Sequence, residues 1–240
     1  NGIEIPSDIA KTMTPAAHKV TDTDWFLDKL YDFVIEQGAW LICPEYNRYV
    51  IDLNRPKDNV SLYPGQDTTE LCPTTTFDNQ PIYNGVHPSE SDIQDRVLKY
   101  WQPYHSAVRD SLNELKVKHG KALLFEAHSI KSEVPRFFQG KLTDFNFGNY
   151  NNKSCSNELT ERLENWQPEG YSKVINGRFK GGYLTREYGK PNDDIHSVQL
   201  ELSQATYMNE DELTYDISKA NDVKVALISM FQCFKDFISN

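Results

Sequence analysis

The 240-residue chain lacks any apolar run of about eighteen residues or more, so no membrane-spanning helix is expected. No signal peptide is visible at its beginning. Cysteine is scarce: the four residues at positions 43, 72, 155 and 233 form no CxxC pair, which excludes a zinc ribbon and a thioredoxin motif. So few cysteines in a chain this long do not make a disulfide scaffold, and a reducing, cytoplasmic setting is expected. Positive charge is also short. Lys and Arg number 25 against 35 Asp and Glu, and the net charge of −10 argues against a nucleic-acid partner. It leaves room for a small anionic substrate, because a local arginine cluster overrides the net sign. No internal repeat or low-complexity tract is present.

What remains is a soluble globular composition, 38% hydrophobic and 25% charged, long enough to bury a large core without staples. Segment 24–37, "DWFLDKLYDFVIEQ", sets Trp25, Leu27, Leu30, Tyr31 and Val34 at helical spacing, with Gly38 as a stop. The runs at 39–46 and 49–54 read as short strands. Residues 55–88 are rich in Pro, Gly, Asn and Thr and read as a long functional loop or lid. A helical region is expected from Ser89 to about His119, interrupted at Pro103. "KALLFEAHS" reads as a buried strand, 131–153 as irregular, "CSNELTERLENW" as a short helix, and 171–189 as a hairpin-like segment. A strand lies within 195–207, and a C-terminal helix from about Asn221 to Ile238 carries a broad apolar face. Alternating strands and helices predict an α/β domain with a largely parallel sheet between helices. Ligands in such sheets collect at the carboxyl ends of strands.

His128 sits near such an end, and alone it reads more readily as a structural histidine, hydrogen-bonded at a strand terminus. Asp22 and Asp24 in "TDTDW" suit helix capping. Glu201 in "QLEL" lies between Leu200 and Leu202, so strand alternation turns it away from their side, onto a solvated face or into a site. Arg48 and Arg55 bracket the expected strand at 49–54. Asn54 with Arg55 suits a carboxylate, offering a bidentate fork and an amide donor. For Arg48 a surface salt bridge is the plainer role. Arg178, Lys180 and Arg186 flank a Gly-Gly pair that lets backbone approach a ligand.

Several stretches together resemble the N-formylglutamate amidohydrolase (N-formylglutamate deformylase) family. They are "TDTDW", "RYVIDLNRPKDNVSLYPGQ", "LCPTTTFDNQPIY", "FEAHSIKSEVPRFFQGKLTDFNFG", "GRFKGGYLTREYG" and "HSVQLELSQATYM". They occur in family order and span most of the chain. The family is related to zinc carboxypeptidases and aspartoacylase-like deacylases. The resemblance implies a single catalytic domain with a three-layer α/β/α fold around a mixed sheet. It also implies one catalytic zinc, held by two histidines and a carboxylate with water in the open position. Carried over, His128 is one ligand and Asp24, preferred to Asp22, the carboxylate. Glu201 is the general base and acid, Arg48 polarises the carbonyl under attack, and Asn54 and Arg55 bind a substrate carboxylate. Arg178 or Arg186 would hold a second one. The family's first histidine stands in a "PHSG"-like stretch before an "IP" pair. Here "NGIEIP" matches only the part after that histidine, so the first ligand is expected upstream of Asn1 in a longer native protein.

The activity implied is hydrolysis of N-formyl-L-glutamate to formate and L-glutamate, within histidine degradation. Two other functions fit the same residues. One is a zinc deacylase or amidase for another acidic N-acyl amino acid. The other is a metal-free binding module for acidic small molecules.

Overall fold

The structure, a computed structural model, describes residues 2–239. In chain order the helices are α1 (Ser7–Ala10), α2 (Leu27–Leu30), α3 (Glu90–Arg96), α4 (Gln102–His119), α5 (Asn157–Asn165), α6 (Tyr183–Tyr188) and α7 (Ile217–Ser239). The strands are β1 (Ala122–Ile130), β2 (Phe145–Gly148), β3 (Lys173–Ile175), β4 (Ile195–Ser203), β5 (Met208–Asn209) and β6 (Thr214–Tyr215). Two compact units share them. The first comprises Asn1–Asp24, Ile42–Arg109 and Glu133–Gly140; the second Trp25–Leu41, Asp110–Ser132 and Lys141–Asn240.

The second unit is built on a four-stranded sheet of order β1-β4-β2-β3. β1 runs parallel to β4 and β2 parallel to β3, while β2 and β4 are antiparallel, so the sheet is mixed and largely parallel. Alternation gives it two unlike faces. Phe145, Phe147, Val198, Leu200 and Leu202 are fully buried in one core with Leu159 and Leu163 of α5 and Val223, Leu227, Met230 and Phe237 of α7. Each such side chain contributes roughly 1.5–3 kcal/mol. The other face carries Glu126, Ser197 and Gln199, and α6 closes on it. Thr185 donates to Glu126 (2.7 Å), and the amide of Gly182 donates to Gln199 (2.7 Å). Helices on both faces make this unit a three-layer α/β/α arrangement, as expected.

In the first unit, order comes from turns and helices. Its core includes Ile9, Met13, Tyr49, Val50, Ile51, Leu71, Ile82, Tyr83 and Val97, and among the described residues only isolated bridges such as Glu4–Tyr46 and Met13–Tyr83 stand in for a sheet. The Arg96 guanidinium, itself buried, donates to the Val50 carbonyl (3.0 Å) and the Tyr83 hydroxyl (2.8 Å). α3 starts at a reciprocal Ser89–Asp92 capping box. Between α3 and α4 a π-helical turn spans Val97–Trp101. Pro103 lies just beyond it and has no N–H to give the ladder, so the interruption falls one turn earlier than the proline itself.

Several local expectations are corrected. The segment 24–37 is not one helix: Phe26 takes a left-handed backbone (φ 57°), and only α2 and a 3-10 turn at Asp32–Val34 form after it. The runs 39–46 and 49–54 are not strands. Trp40, Leu41 and Ile42 are substantially exposed, and 47–55 folds as successive turns. Segment 131–153 contains β2. Segment 171–189 is no hairpin but β3 and then α6. The 55–88 loop lacks regular elements, as expected, yet it is tied down. Arg136 forks onto Asp67 (3.0 and 3.0 Å) and also donates to the Thr76 carbonyl (2.7 Å).

Candidate active site

In the second unit, the candidate residues lie on the polar face of the sheet. His128 on β1 stands directly opposite Glu201 on β4, and Asn146 on β2 stands opposite Glu201 from the other side. Adjacent strands lie about 4.8 Å apart, so Glu201 is flanked by an imidazole and an amide. Asn146 is itself fixed, donating to the carbonyls of Thr143 (2.6 Å) and Glu201 (3.0 Å). The alternation that buries Leu200 and Leu202 turns Glu201 to this face, as the sequence predicts. His196 goes the other way. Its ring meets Phe237 edge-on, and its Nδ1 accepts the amide of Ser156 (3.2 Å), so it does not share the face of Glu201.

Two residues before His128, and therefore on the same face, sits Glu126, a residue absent from the sequence-based candidates. It is buried, and its Oε1 accepts from Thr185 (2.7 Å) and Ser197 (2.9 Å). Its Oε2 lies 3.8 Å from His128 Nε2.

The Gly-Gly loop is held where it is by its lack of side chains. A Cβ on Gly148 would lie 2.3 Å from the Gly181 nitrogen, and Gly181 itself has φ +104°. The loop therefore passes directly over the end of β2, which aims α6. Arg186 on α6 packs over the Tyr150 ring (4.7 Å) and donates from Nε to the Gly181 carbonyl (3.1 Å). Arg178 lies in the loop between β3 and α6, its guanidinium over the Phe179 ring (5.6 Å).

In the first unit, the candidates gather around Arg48. Asn47 and Asp52 each head a turn with their own side chain. Asn47 Oδ1 accepts the Tyr49 amide (3.0 Å), and Asp52 Oδ1 the Asn54 amide (2.9 Å). Such side-chain turns compete with strand pairing, which is why 49–54 is not a strand. Arg48 is no surface arginine: its Nη2 meets Asp52 Oδ2 at 2.7 Å, and Asp52 is 1% exposed. Its guanidinium lies over the Phe77 ring (4.8 Å), and its buried Nε has no hydrogen-bond partner among the described residues. Burial works against the Arg48 charge, but Asp52, Asp24 and Asp22 outweigh it and hold the group firmly protonated. Burial likewise pushes the Asp52 carboxyl up, but Arg48 and Arg55 prevail and hold it below the usual range.

Asp22 and Asp24 are both buried, and neither caps a helix, since Phe26 precedes α2. Asp22 Oδ2 accepts the Phe77 amide (2.8 Å), and burial raises the Asp22 pKa above the ordinary value.

Asn54 and Arg55 are positioned by α4 and the turn before it. Trp101 Nε1 donates to the Arg55 carbonyl (2.9 Å), and His105 Nε2 lies 2.9 Å from the Leu53 carbonyl, with the two rings stacked at 3.7 Å. Burial lowers the His105 pKa to about 4. The Arg55 guanidinium is partly engaged: Nε and Nη2 reach the Thr69 carbonyl (2.9 Å) and hydroxyl (3.3 Å), and Nη1 the Asn54 carbonyl (3.1 Å). Arg55 lines a cavity of about 190 Å³ with Asn59, Tyr63, Thr69 and Glu70 among its walls.

Among the described residues, no three His, Cys, Asp or Glu side chains come together as a metal site. Asn1, and the histidine expected before it, lie outside the described residues. The surroundings of His128 nonetheless fit a metal-binding role. A buried carboxylate oxygen without a hydrogen-bond partner faces its Nε2, the setting in which ligating imidazoles are commonly held.

A sequence model of the N-formylglutamate amidohydrolase family matches residues 1–208. An N-formylglutamate deformylase from Pseudomonas putida is 44% identical over 235 residues, covering 96% of this chain and 88% of that protein. Another, from Pseudomonas aeruginosa, is 49% identical over 197 residues, covering 81% and 74%. The crystal structure of an N-formylglutamate amidohydrolase from Ralstonia eutropha JMP134 has the same fold, with a TM-score of 0.80 at 22% identity over 96% of this chain and 89% of that one. A gene product of Agrobacterium tumefaciens aligns with a TM-score of 0.68 at 16% identity, over 95% and 88%.

Proposed function

The chain belongs to the N-formylglutamate amidohydrolase family, and from that premise we propose that it hydrolyses N-formyl-L-glutamate to formate and L-glutamate with the help of one zinc ion. The observation that carries this reading is the pairing of His128 with Glu201 at one register of adjacent strands, on the polar face of the sheet. It puts a metal-ligand type and a proton-transfer type side by side in a chain whose curated relatives are deformylases.

In this reading Asp24 and His128 would hold the metal. A zinc bound there would supply Lewis acidity and a water acidified towards neutrality. Glu201 takes the proton from the attacking water and returns it to the nitrogen of the leaving glutamate as the formyl C–N bond breaks. Arg48 donates to the formyl oxygen as negative charge develops on it. Its permanent charge and its buried Nε, which has no protein partner among the described residues, support that role. Asn54 and Arg55 bind one substrate carboxylate, and Arg178 or Arg186 the other. The Arg55 bonds to Thr69 limit how much of its fork is left for substrate, but they hold the guanidinium at the cavity wall. Such a reaction belongs to histidine degradation and to the cytoplasm.

The test is formate release from N-formyl-L-glutamate by the full-length protein, before and after chelation and with zinc restored. Activity that is lost on chelation and returns with zinc supports the reading. Activity indifferent to chelation removes the metal, and no formate release at any zinc level removes the reaction.

A further inference from the structure

We propose that Glu126 is a positioning residue for His128. Its buried carboxylate takes the Nε2–H of the imidazole and so presents Nδ1 to the metal. This rests on the reading of His128 as a ligand.

Glu126 and His128 are two residues apart on β1, so their side chains leave the same face of the sheet. The two carboxylate oxygens have different surroundings. Oε1 is anchored by the hydroxyls of Thr185 and Ser197, both fully buried. Oε2 is buried, has no hydrogen-bond partner among the described residues, and lies 3.8 Å from His128 Nε2. That separation is within ion-pair reach and slightly longer than a hydrogen bond. A carboxylate needed only to tie α6 to the sheet would use Oε1 alone, and an amide would serve as well. A buried carboxylate oxygen turned to the imidazole is explained if the imidazole must be held in one tautomer. An imidazole whose Nε2–H is taken by a carboxylate offers a metal Nδ1, and removal of such supporting groups typically weakens metal binding by ~10–100-fold.

The experiment measures zinc affinity by chelator competition for wild type, Glu126→Gln, Thr185→Val and His128→Ala, with the unfolding temperature of each as a control for folding. Glu126→Gln is expected to bind zinc ~10–100-fold more weakly while folding normally. Thr185→Val, which loosens the same carboxylate without touching its charge, should fall between it and wild type. In metal-free wild type, long-range proton–nitrogen NMR of His128 at pH 8 should show the proton on Nε2, and Glu126→Gln should lose that preference. Wild-type affinity in Glu126→Gln with an unchanged tautomer overturns the proposal while leaving His128 as a ligand. If Glu126→Gln does not fold, unchanged affinity in Thr185→Val overturns it instead. If His128→Ala binds zinc like wild type, the ligand assignment fails and takes the metal part of this proposal with it. The tautomer then reports separately whether Glu126 orients the ring.

Discussion

His128 and Glu201 occupy facing positions on parallel strands β1 and β4, and the same alternation that buries Leu200 and Leu202 turns Glu201 to the side of His128. The relationship is set by backbone register, so it survives any substitution that leaves the sheet intact. A one-residue slip of either strand would turn that strand's side chain off this face.

Glu201→Gln preserves shape but removes the acceptor for a proton. General acid–base catalysis is worth ~10²–10⁴-fold, and kcat for N-formylglutamate should fall by about that factor with zinc content unchanged. Single-turnover kinetics and metal analysis on the same preparation check it. A loss of only a few-fold would move Glu201 from catalysis to binding or structure.

Much of the sheet's polar face was readable in the sequence. "KALLFEAHS" is long and apolar enough to read as a buried strand, and the 195–207 segment around "QLEL" alternates. Glu126 could have been found from the same pattern, as the acidic residue two positions before His128. The surroundings of Arg48 were harder to read. Apolar residues 49–51 look like strand, yet Asn47 and Asp52 turn the chain with their own side chains. That choice depends on burial of Tyr49, Val50 and Ile51 and on the reach of Arg96 to the Val50 carbonyl, which are tertiary facts. The left-handed Phe26 broke an otherwise good helical period in the same way. The brief strand β2 was lost among Asn, Gly and Lys because four residues carry too little pattern to read.

Arg48 and Asp52 form a buried ion pair, and breaking one side leaves the other charge uncompensated. Asp52→Ala should cost about 3–5 kcal/mol of stability, read as a lower urea midpoint at pH 7. The Asp52 pKa is depressed in the fold. Its contribution is therefore complete above its unfolded value of about 3.9 and is lost as pH falls through the folded value. An Asp52→Asn variant should lack that acid-side decline. A variant as stable as wild type would show that Arg48 does not need this partner.

Two substrate carboxylates require two cationic partners. Wild-type protein should prefer N-formylglutamate to N-formylglutamine. Arg178→Met or Arg186→Met should shrink that preference by ~10–100-fold in kcat/KM, the worth of one charge-assisted hydrogen bond of ~1.5–3 kcal/mol. Arg55→Lys keeps charge but gives up the fork to Thr69, and it should weaken both substrates together. Equal turnover of the acid and the amide by wild type would sink the two-carboxylate arrangement.

His105 makes the support of Asn54 and Arg55 sensitive to acid. Its ring is buried, stacks on Trp101 and lies against the Leu53 carbonyl, and burial lowers its pKa from 6.5 to about 4. Between those values the unfolded chain takes up a proton that the folded one refuses. Stability therefore rises with pH across the window and is lost as pH falls from about 6.5 towards about 4. The total is on the order of 3 kcal/mol. His196, whose pKa burial also lowers, adds loss in the same direction, so removing one histidine flattens the decline without abolishing it. His105→Gln keeps a donor for the Leu53 carbonyl but cannot take a proton in this range. Urea midpoints measured at pH 7 and pH 4.5 should therefore differ less in His105→Gln than in wild type. If the two proteins lose stability equally over that interval, His105 is not the group that titrates.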